Sequence, residues 1–487
     1  MRMNLETLLG PETPLAAGAH APEITGLTAD SRAVRPGFLF VAIPGTRLDG
    51  ARFASDAVAR GAVAVLAAPA AELSLPAHVV LVRHEQPRRA LALLAARFHA
   101  RQPETVVAVT GTSGKTSVAE FTRQIFKALG RRAASLGTMG IVRPDGAHYG
   151  SLTTPDPVVL HETLAGLAAD GVTHLAMEAS SHGLDQHRLD GVRLVAGAFT
   201  NLGRDHLDYH ATVADYLAAK LRLFEALLEP GRTAVINADD AHAGEVAALS
   251  RRRGLAVTTV GVAGATLRLV SAERHGFRQR LVVEHEGRRH DIQLGLIGDY
   301  QASNALVAAA LAMATGEAVE PVLAALATLV GVKGRLEVVG ERAGGLAIVD
   351  YAHKPEALAA ALAAVRPFAT GRLVCVFGCG GDRDRGKRPI MGRIATDGAD
   401  EVIITDDNPR SESPAAIRAE VLAGATGARE IGDRRAAIRT AVAGLGAGDV
   451  LLVAGKGHET GQIIGDVTLP FSDQEEVAAA LAEGATH

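Results

Sequence analysis

A chain of 487 residues is too long for one core, and its length sets an expectation of about three domains. The formal charge is −4 and no basic block or arginine-rich arm occurs, which argues against a nucleic-acid partner. Apolar runs such as 305–315 stop short of the ~18 residues a membrane span needs, and Glu6 interrupts the place of a signal peptide, so a cytoplasmic protein is expected.

In chain order, the first hundred residues hold short strands, Phe38–Ile43 and Ala62–Leu66, with a helix near Phe53–Arg60 between them. Gln102-Pro103 then breaks the chain before an apolar strand, Thr105–Val109. From there strands and helices alternate, the pattern of a mostly parallel sheet covered by helices on both faces. Residues 265–296 depart from it: polar and apolar residues alternate across Gly276 and Gly287, as in antiparallel hairpins. A helix near Asn304–Thr315 follows, and Val332–Glu337 reads as a linker. Beyond it the βα rhythm restarts with strands Leu346–Val349, Leu373–Phe377, Val402–Ile404 and Val450–Val453. The reading is an α/β protein with domains at 1–102, 103–336 and 337–487. Cys375 and Cys379 stand beside glycines and read as small buried hydrophobes rather than a redox or metal pair.

Residues 106–117, VVAVTGTSGKTS, form a strand, a glycine turn and a helix start. The following helix carries Val118, Phe121, Ile125 and Leu129 on one face, so the turn opens an amphipathic helix. Such a turn wraps phosphates with backbone N–H groups at a helix N-terminus. Lys115 would reach the β/γ-phosphates and the Thr116 hydroxyl would ligate Mg²⁺. The position of the usual first glycine is Val109, so only the GK[ST] end is standard. Two later strands end in polar groups, one in Glu178 and one leading to His206. Both sit at carboxyl ends of parallel strands, where open α/β sheets bind ligands. With Thr116 they make a candidate hard-cation site.

TGTSGKTS resembles the ATP loop of the Mur ligase family, with Ser113 in place of the usual asparagine. The resemblance runs from about residue 26 to about 475, with its motifs in the family's order. It implies a uridine-binding N-terminal domain, a central P-loop ATPase-like domain and a C-terminal Rossmann-like domain. By it, Gly111, Thr112, Ser113, Gly114, Lys115, Thr116 and Ser117 hold ATP, and Lys115, Glu178, His206 and Lys220 carry the catalysis. The segment 215–224, DYLAAKLRLF, is similar to the family's YxxAKxxLF, whose lysine becomes a carbamate with CO₂. On that resemblance alone Lys220 joins Thr116, Glu178 and His206 as a metal ligand. The stretch 180–188, SSHGLDQHR, matches the family's SSHGLxQHR, and with Thr153 and Thr154 it implies that Ser180, Gln186 and Arg188 bind a UDP-muramyl peptide. Ser31, in Asp30-Ser31-Arg32, is the candidate at the uridine entry.

Four strand ends in the last third carry charged or glycine-rich loops at 350–355, 378–385, 406–410 and 455–459, which by themselves read as a ligand crevice. The resemblance gives Asn304, Arg335, Asp350 and His353 to ATP; Lys354 departs from the threonine or asparagine usual before Pro355. It gives Arg383, Asp407, Asn408, Pro409, Arg410, Gly455 and Glu459 to the incoming amino acid. The DNPR motif at 407–410 is that of the branch that adds meso-diaminopimelate, where its arginine holds the distal carboxylate. The implied activity is ATP-dependent amide formation in peptidoglycan precursor synthesis, by a monomer. A sibling ligase, such as a folylpolyglutamate synthetase, and a regulatory P-loop switch remain the competing readings.

Overall fold

The computed structural model describes all residues except 1, 12, 14, 16–19, 46–48, 149–152, 204–208 and 484–487. The chain divides into two compact units, Met1–Gly264 with Val307–Ala318, and Ala265–Leu306 with Val319–His487.

In the first unit, strands Gly26–Thr28, Phe38–Ala42, Ala62–Ala67 and Val80–Arg83 form a parallel sheet in chain order. Leu39, Val41, Ala64 and Leu66 on one face pack with Leu91, Leu94 and Phe98 of helix Pro87–His99. Phe40, Ala42 and Val65 on the other pack with Ala54 and Ala57 of helix Ala54–Ala59.

The larger sheet of this unit places parallel strands in the order Ala133–Gly137, His174–Glu178, Thr105–Thr110, Leu194–Phe199, Thr233–Asn237, Ala256–Gly261. Antiparallel Gly140–Arg143 and Gly146–His148 extend it beyond Ala133–Gly137. The strand Thr105–Thr110 is central, and Val106 to Val109 are at most 1% exposed. A strand covered on both faces needs apolar residues at consecutive positions, which is why its sequence is a run and not an alternation. Glu178 pairs in register with Val109, so its side chain leaves the sheet next to the glycine turn.

In the second unit, Leu267–His275, Arg278–His285 and Arg288–Leu294 form the expected antiparallel meander. Its second turn has positive φ at Glu286 (48°) and Gly287 (74°), the geometry a two-residue hairpin requires. The helix expected from Asn304 begins earlier, at Asp299, directly after Gly298 with φ 98°. A second sheet has the order Glu337–Arg342, Gly345–Asp350, Val450–Ala454, Leu373–Phe377, Glu401–Ile404, Arg429–Glu430, parallel except for its first strand. Leu358, Met391 and Ile417 cover one face, and Ala437, Ile438 and Val477 the other. The last of these strands along the chain, Val450–Ala454, lies between the second and third in sequence. This reversal of strand order opens a crevice at the carboxyl ends.

Candidate functional site

The glycine turn of the first unit is held by side chains from the neighbouring strand. Asn201 Oδ1 accepts from the Ser113 N–H (2.9 Å), the Thr200 hydroxyl donates to the Ser113 carbonyl (2.7 Å), and the Thr112 N–H donates to the Asn201 carbonyl (2.9 Å). Gly111 has φ 149°, and a Cβ there would collide with Thr200 Oγ1. Gly114 is left-handed (φ 86°), and no side chain caps the helix Lys115–Ala128 that follows.

Lys115 Nζ folds back over the turn, donating to the carbonyls of Gly111 (2.8 Å) and Thr112 (2.9 Å). Lys220, 1% exposed, donates to the same Gly111 carbonyl at 2.8 Å and lies 4.1 Å from the Tyr216 ring centroid. It is a buried lysine on the glycine turn, not a solvated helix charge. A π-turn, Leu223–Leu227, directly follows its helix Val213–Arg222. Glu178 is buried, with Oε1 accepting from the Thr138 N–H (2.8 Å) and Oε2 from the Thr138 hydroxyl (3.3 Å). The turn, Thr116 at the start of its helix, Glu178 and Lys220 thus belong to neighbouring elements of one sheet edge. Among the described residues no three His, Cys, Asp or Glu cluster as a metal site. A hydroxyl and a carboxylate beside a phosphate turn still suit Mg²⁺, which keeps several waters and takes few protein ligands. His206 lies outside the described residues.

The SSHGLDQHR stretch forms a polar chain running to Glu178. Ser180 caps helix Ser181–Asp185, accepting from the Gly183 N–H (3.0 Å) and donating to Thr154 Oγ1 (3.0 Å). Thr154 Oγ1 donates to the Glu178 carbonyl (3.1 Å), and Thr153 Oγ1 lies 3.0 Å from Thr138 Oγ1. Arg188 donates to the Thr154 carbonyl (2.7 Å) and to Gln186 Oε1 (2.8 Å), and burial pulls its guanidinium below the ordinary range. Gln186 Nε2 in turn donates to the Tyr209 hydroxyl (3.1 Å), which donates to Asp185 (2.6 Å). Tyr209 was not among the residues expected from sequence. Ser31 stands apart from these, opening a short 3₁₀ turn, Ser31–Ala33, where the Arg32 guanidinium holds the Asp30 carboxyl below its usual range.

In the second unit the crevice is a cavity of about 810 Å³. Arg383, Asp407, Asn408, Arg410, Gly455 and Glu459 line it, whereas Pro409 does not. His353, expected at ATP, lines the same cavity, as do Lys354 and Lys387. Lys387 Nζ donates to the His353 carbonyl (2.7 Å), and burial lowers the pKa of the His353 imidazole. Cys379 is part of the wall, its thiol pushed up to about 12 by burial; Cys375 is equally buried and both are free thiols. Arg410 has φ 50°, its N–H donating to the Ile463 carbonyl (3.0 Å) and its guanidinium to the Gly381 carbonyl (2.8 Å). Asp350 is raised chiefly by burial, and both its oxygens are taken by its own surroundings, the N–H groups of Leu336 (2.7 Å) and Ala352 (2.8 Å). That geometry makes it a brace for the loop. Arg335 lies 5.1 Å over the Tyr351 ring, and Asn304 donates to Gln301 (3.0 Å). No signal in the sequence separated Lys456, fully buried between Asn408 and Glu459, from an ordinary loop lysine, apart from its place between two glycines after an apolar strand.

Three family models match the chain: "Mur ligase family, catalytic domain" over 23–99, "Mur ligase middle domain" over 109–312, and "Mur ligase, glutamate ligase domain" over 334–457. Curated relatives named UDP-N-acetylmuramoyl-L-alanyl-D-glutamate–2,6-diaminopimelate ligase include one from Bradyrhizobium diazoefficiens, 59% identical over 99% of each chain. Another, from Agrobacterium fabrum, is 57% identical over 99% of each. A solved structure of a ligase with the same name is 32% identical, with TM-score 0.76 over the full length of both chains. No helix among the described residues is long and apolar enough to cross a membrane.

Proposed function

The chain belongs to the Mur ligase family, and on that premise we propose that it joins meso-2,6-diaminopimelate to UDP-N-acetylmuramoyl-L-alanyl-D-glutamate at the expense of ATP. The observation that carries the choice of amino acid is the cavity of the second unit. It presents Arg383 and Arg410 together with Asp407 and Glu459, opposite charges that suit a substrate with ammonium and carboxylate groups at both ends. The domain breaks are taken at 102/103 and 336/337, the site of action as the cytoplasm and the enzyme as a monomer.

In this reading the muramyl dipeptide, held by Thr153, Thr154, Ser180, Gln186 and Arg188, with Ser31 at the uridine, offers its terminal carboxylate to the γ-phosphate of ATP. The carboxylate oxygen bonds to phosphorus, ADP leaves, and an acyl phosphate remains. The amine of diaminopimelate attacks that carbonyl, loses a proton, and phosphate departs from the tetrahedral intermediate. Lys115 and the N–H groups of 111–117 stabilise charge on the transferring phosphoryl group, a role in which His206 is also assigned a part. Asn304, Arg335 and His353 are assigned to ATP, with Asp350 bracing their loop. Mg²⁺, held by Thr116, Glu178, His206 and Lys220 as a carbamate, would neutralise phosphate charge. Support for the carbamate is the burial of Lys220 against the phosphate turn, out of reach of bulk water.

The test is phosphate release by the purified protein with ATP and Mg²⁺. Release should require both the UDP-muramyl dipeptide and diaminopimelate. Release without an amino acid would favour a nucleotide switch, and an equal rate with lysine would favour a sibling ligase.

A further inference from the structure

Lys456 directly follows Gly455 at the end of strand Val450–Ala454, and its side chain is 0% exposed. Burying an ammonium is strongly unfavourable unless it is paired and hydrogen-bonded, so its partners identify its role. Nζ donates to Glu459 Oε2 (3.0 Å) and to Asn408 Oδ1 (3.0 Å). The Ile463 N–H also points at Asn408 Oδ1 (2.9 Å). An ammonium and a backbone N–H can only donate, so the atom facing them must be the amide oxygen. Asn408 Nδ2 is thereby turned to Glu459 Oε2, at 2.9 Å.

Two consequences follow for the cavity. Glu459 has Oε2 occupied by Lys456 and Asn408, while no described residue donates to Oε1, and the side chain remains 33% exposed on the cavity wall. The second runs through Ile463, whose N–H is held by Asn408 and whose carbonyl holds the Arg410 N–H (3.0 Å). Arg410 sits at φ 50°, a conformation its neighbours must impose, and the Gly465 N–H closes the other side on the Arg410 carbonyl (2.8 Å). Lys456 does not itself line the cavity.

We infer that Lys456 is a positioning residue for the amino-acid substrate: it holds Glu459 with one oxygen turned to the substrate ammonium and, through Asn408 and Ile463, holds Arg410 for a carboxylate. The inference rests on the ligase reading above. It goes beyond charge balance, because it couples both recognition groups of the cavity to one buried cation.

The test is steady-state kinetics of the full chain for all three substrates, in wild type, Lys456→Met, Glu459→Gln and the double variant. Lys456→Met should raise KM for diaminopimelate by about 10- to 100-fold, the scale of a lost charged hydrogen bond. kcat and the other two KM values should stay within about threefold, and in the Glu459→Gln background the same change should add clearly less than it does in wild type, since the branch through Glu459 is already gone and only the one through Asn408 and Arg410 is left. Fully additive losses, or a melting-temperature drop with KM for diaminopimelate unchanged, would overturn the inference and leave Lys456 a structural residue. If circular dichroism shows Lys456→Met unfolded, Lys456→Gln, which keeps an amide donor, is judged by the same split. A wild type that releases no phosphate with diaminopimelate sinks the ligase reading itself; an active wild type with an unchanged Lys456 variant sinks only this inference.

Discussion

The glycine turn and the charged cavity both sit at carboxyl ends of parallel strands, but they are built from different materials. The turn is backbone: Gly111 and Gly114 at positive φ, an uncapped helix start, and Thr200 and Asn201 holding its peptide groups. The cavity is side chain: Arg383, Arg410, Asp407 and Glu459 on its wall, with Asn408 and Lys456 fixing their directions. The difference teaches where each region is fragile. A backbone site fails when a single methyl group is added, and a side-chain site fails when a charge loses its partner.

The largest effect is expected at Lys115, whose ammonium folds over the backbone turn. Lys115→Ala should lower kcat/KM about a thousandfold, on the scale of removing one charged group from a transition state. Its melting temperature should stay near wild type, because Lys115 Nζ lies over the turn, on the carbonyls of Gly111 and Thr112, and not in the hydrophobic core. Near-normal ligation by a folded variant would remove the phosphate-turn assignment.

Next comes Arg410. Diaminopimelate and lysine differ by one carboxylate, and lysine would leave that arginine charged and unpaired. Truncating one partner of such a pair costs about 2–5 kcal/mol, roughly one and a half to three and a half decades. Arg410→Ala should lose that much kcat/KM for diaminopimelate, narrow the gap to lysine, and leave KM for ATP unchanged. Arg410→Lys should be poor as well, since a point charge cannot reproduce the fork. A variant that keeps the full preference contradicts the substrate assignment even if ligation survives.

Gly111→Ala tests the other half of the contrast. The added methyl collides with Thr200 Oγ1, and φ 149° is strained for any L side chain, so about 1–3 kcal/mol of overpacking is expected. Nucleotide affinity, read by calorimetry, should fall by about tenfold to a hundredfold on the same scale. Thr200→Ala in the same chain should recover part of the loss by making room. A Gly111→Ala protein with normal affinity would show that the turn is not the rigid cradle described.

The finest distinction is between the two states of Lys220. Lys220→Ala should lose most of kcat, by at least the roughly 10- to 100-fold that follows removal of a group merely supporting a metal ligand. Lys220→Glu should lose less, and bicarbonate should rescue neither. In the wild type, ¹³C-bicarbonate should give a carbamate carbon signal that is absent from Lys220→Ala. Failure to detect it with nucleotide and Mg²⁺ bound would leave Lys220 as an ammonium on the Gly111 carbonyl.

Much of this contrast is legible in the chain and some is not. The apolar run before Gly111 and the polar loops after four later strands are local patterns, and the strands fall within a residue or two of where periodicity places them. Helix Asp299–Ala314 starts before the expected Asn304 because its entry is set by Gly298. Asp350, expected from the resemblance at ATP, accepts one backbone N–H on each oxygen, from Leu336 and Ala352, contacts that the sequence does not reveal. His353 and three of the DNPR residues, Asp407, Asn408 and Arg410, assigned separately to ATP and to the amino acid, line one cavity.

The sequence alone determined the alternation of strands and helices, the glycine turn and the order of the motifs, because these depend on residue type and on spacing along the chain. Only the tertiary structure decided that Lys220 and Lys115 share the Gly111 carbonyl, that Arg410 takes φ 50°, and that Lys456 is buried between Asn408 and Glu459. The physical reason is that a lysine's role follows from what surrounds its ammonium, and those partners come from loops up to 109 positions away, as between Lys220 and Gly111. A pattern of residue types carries no record of such neighbours, whereas burial makes each of them obligatory.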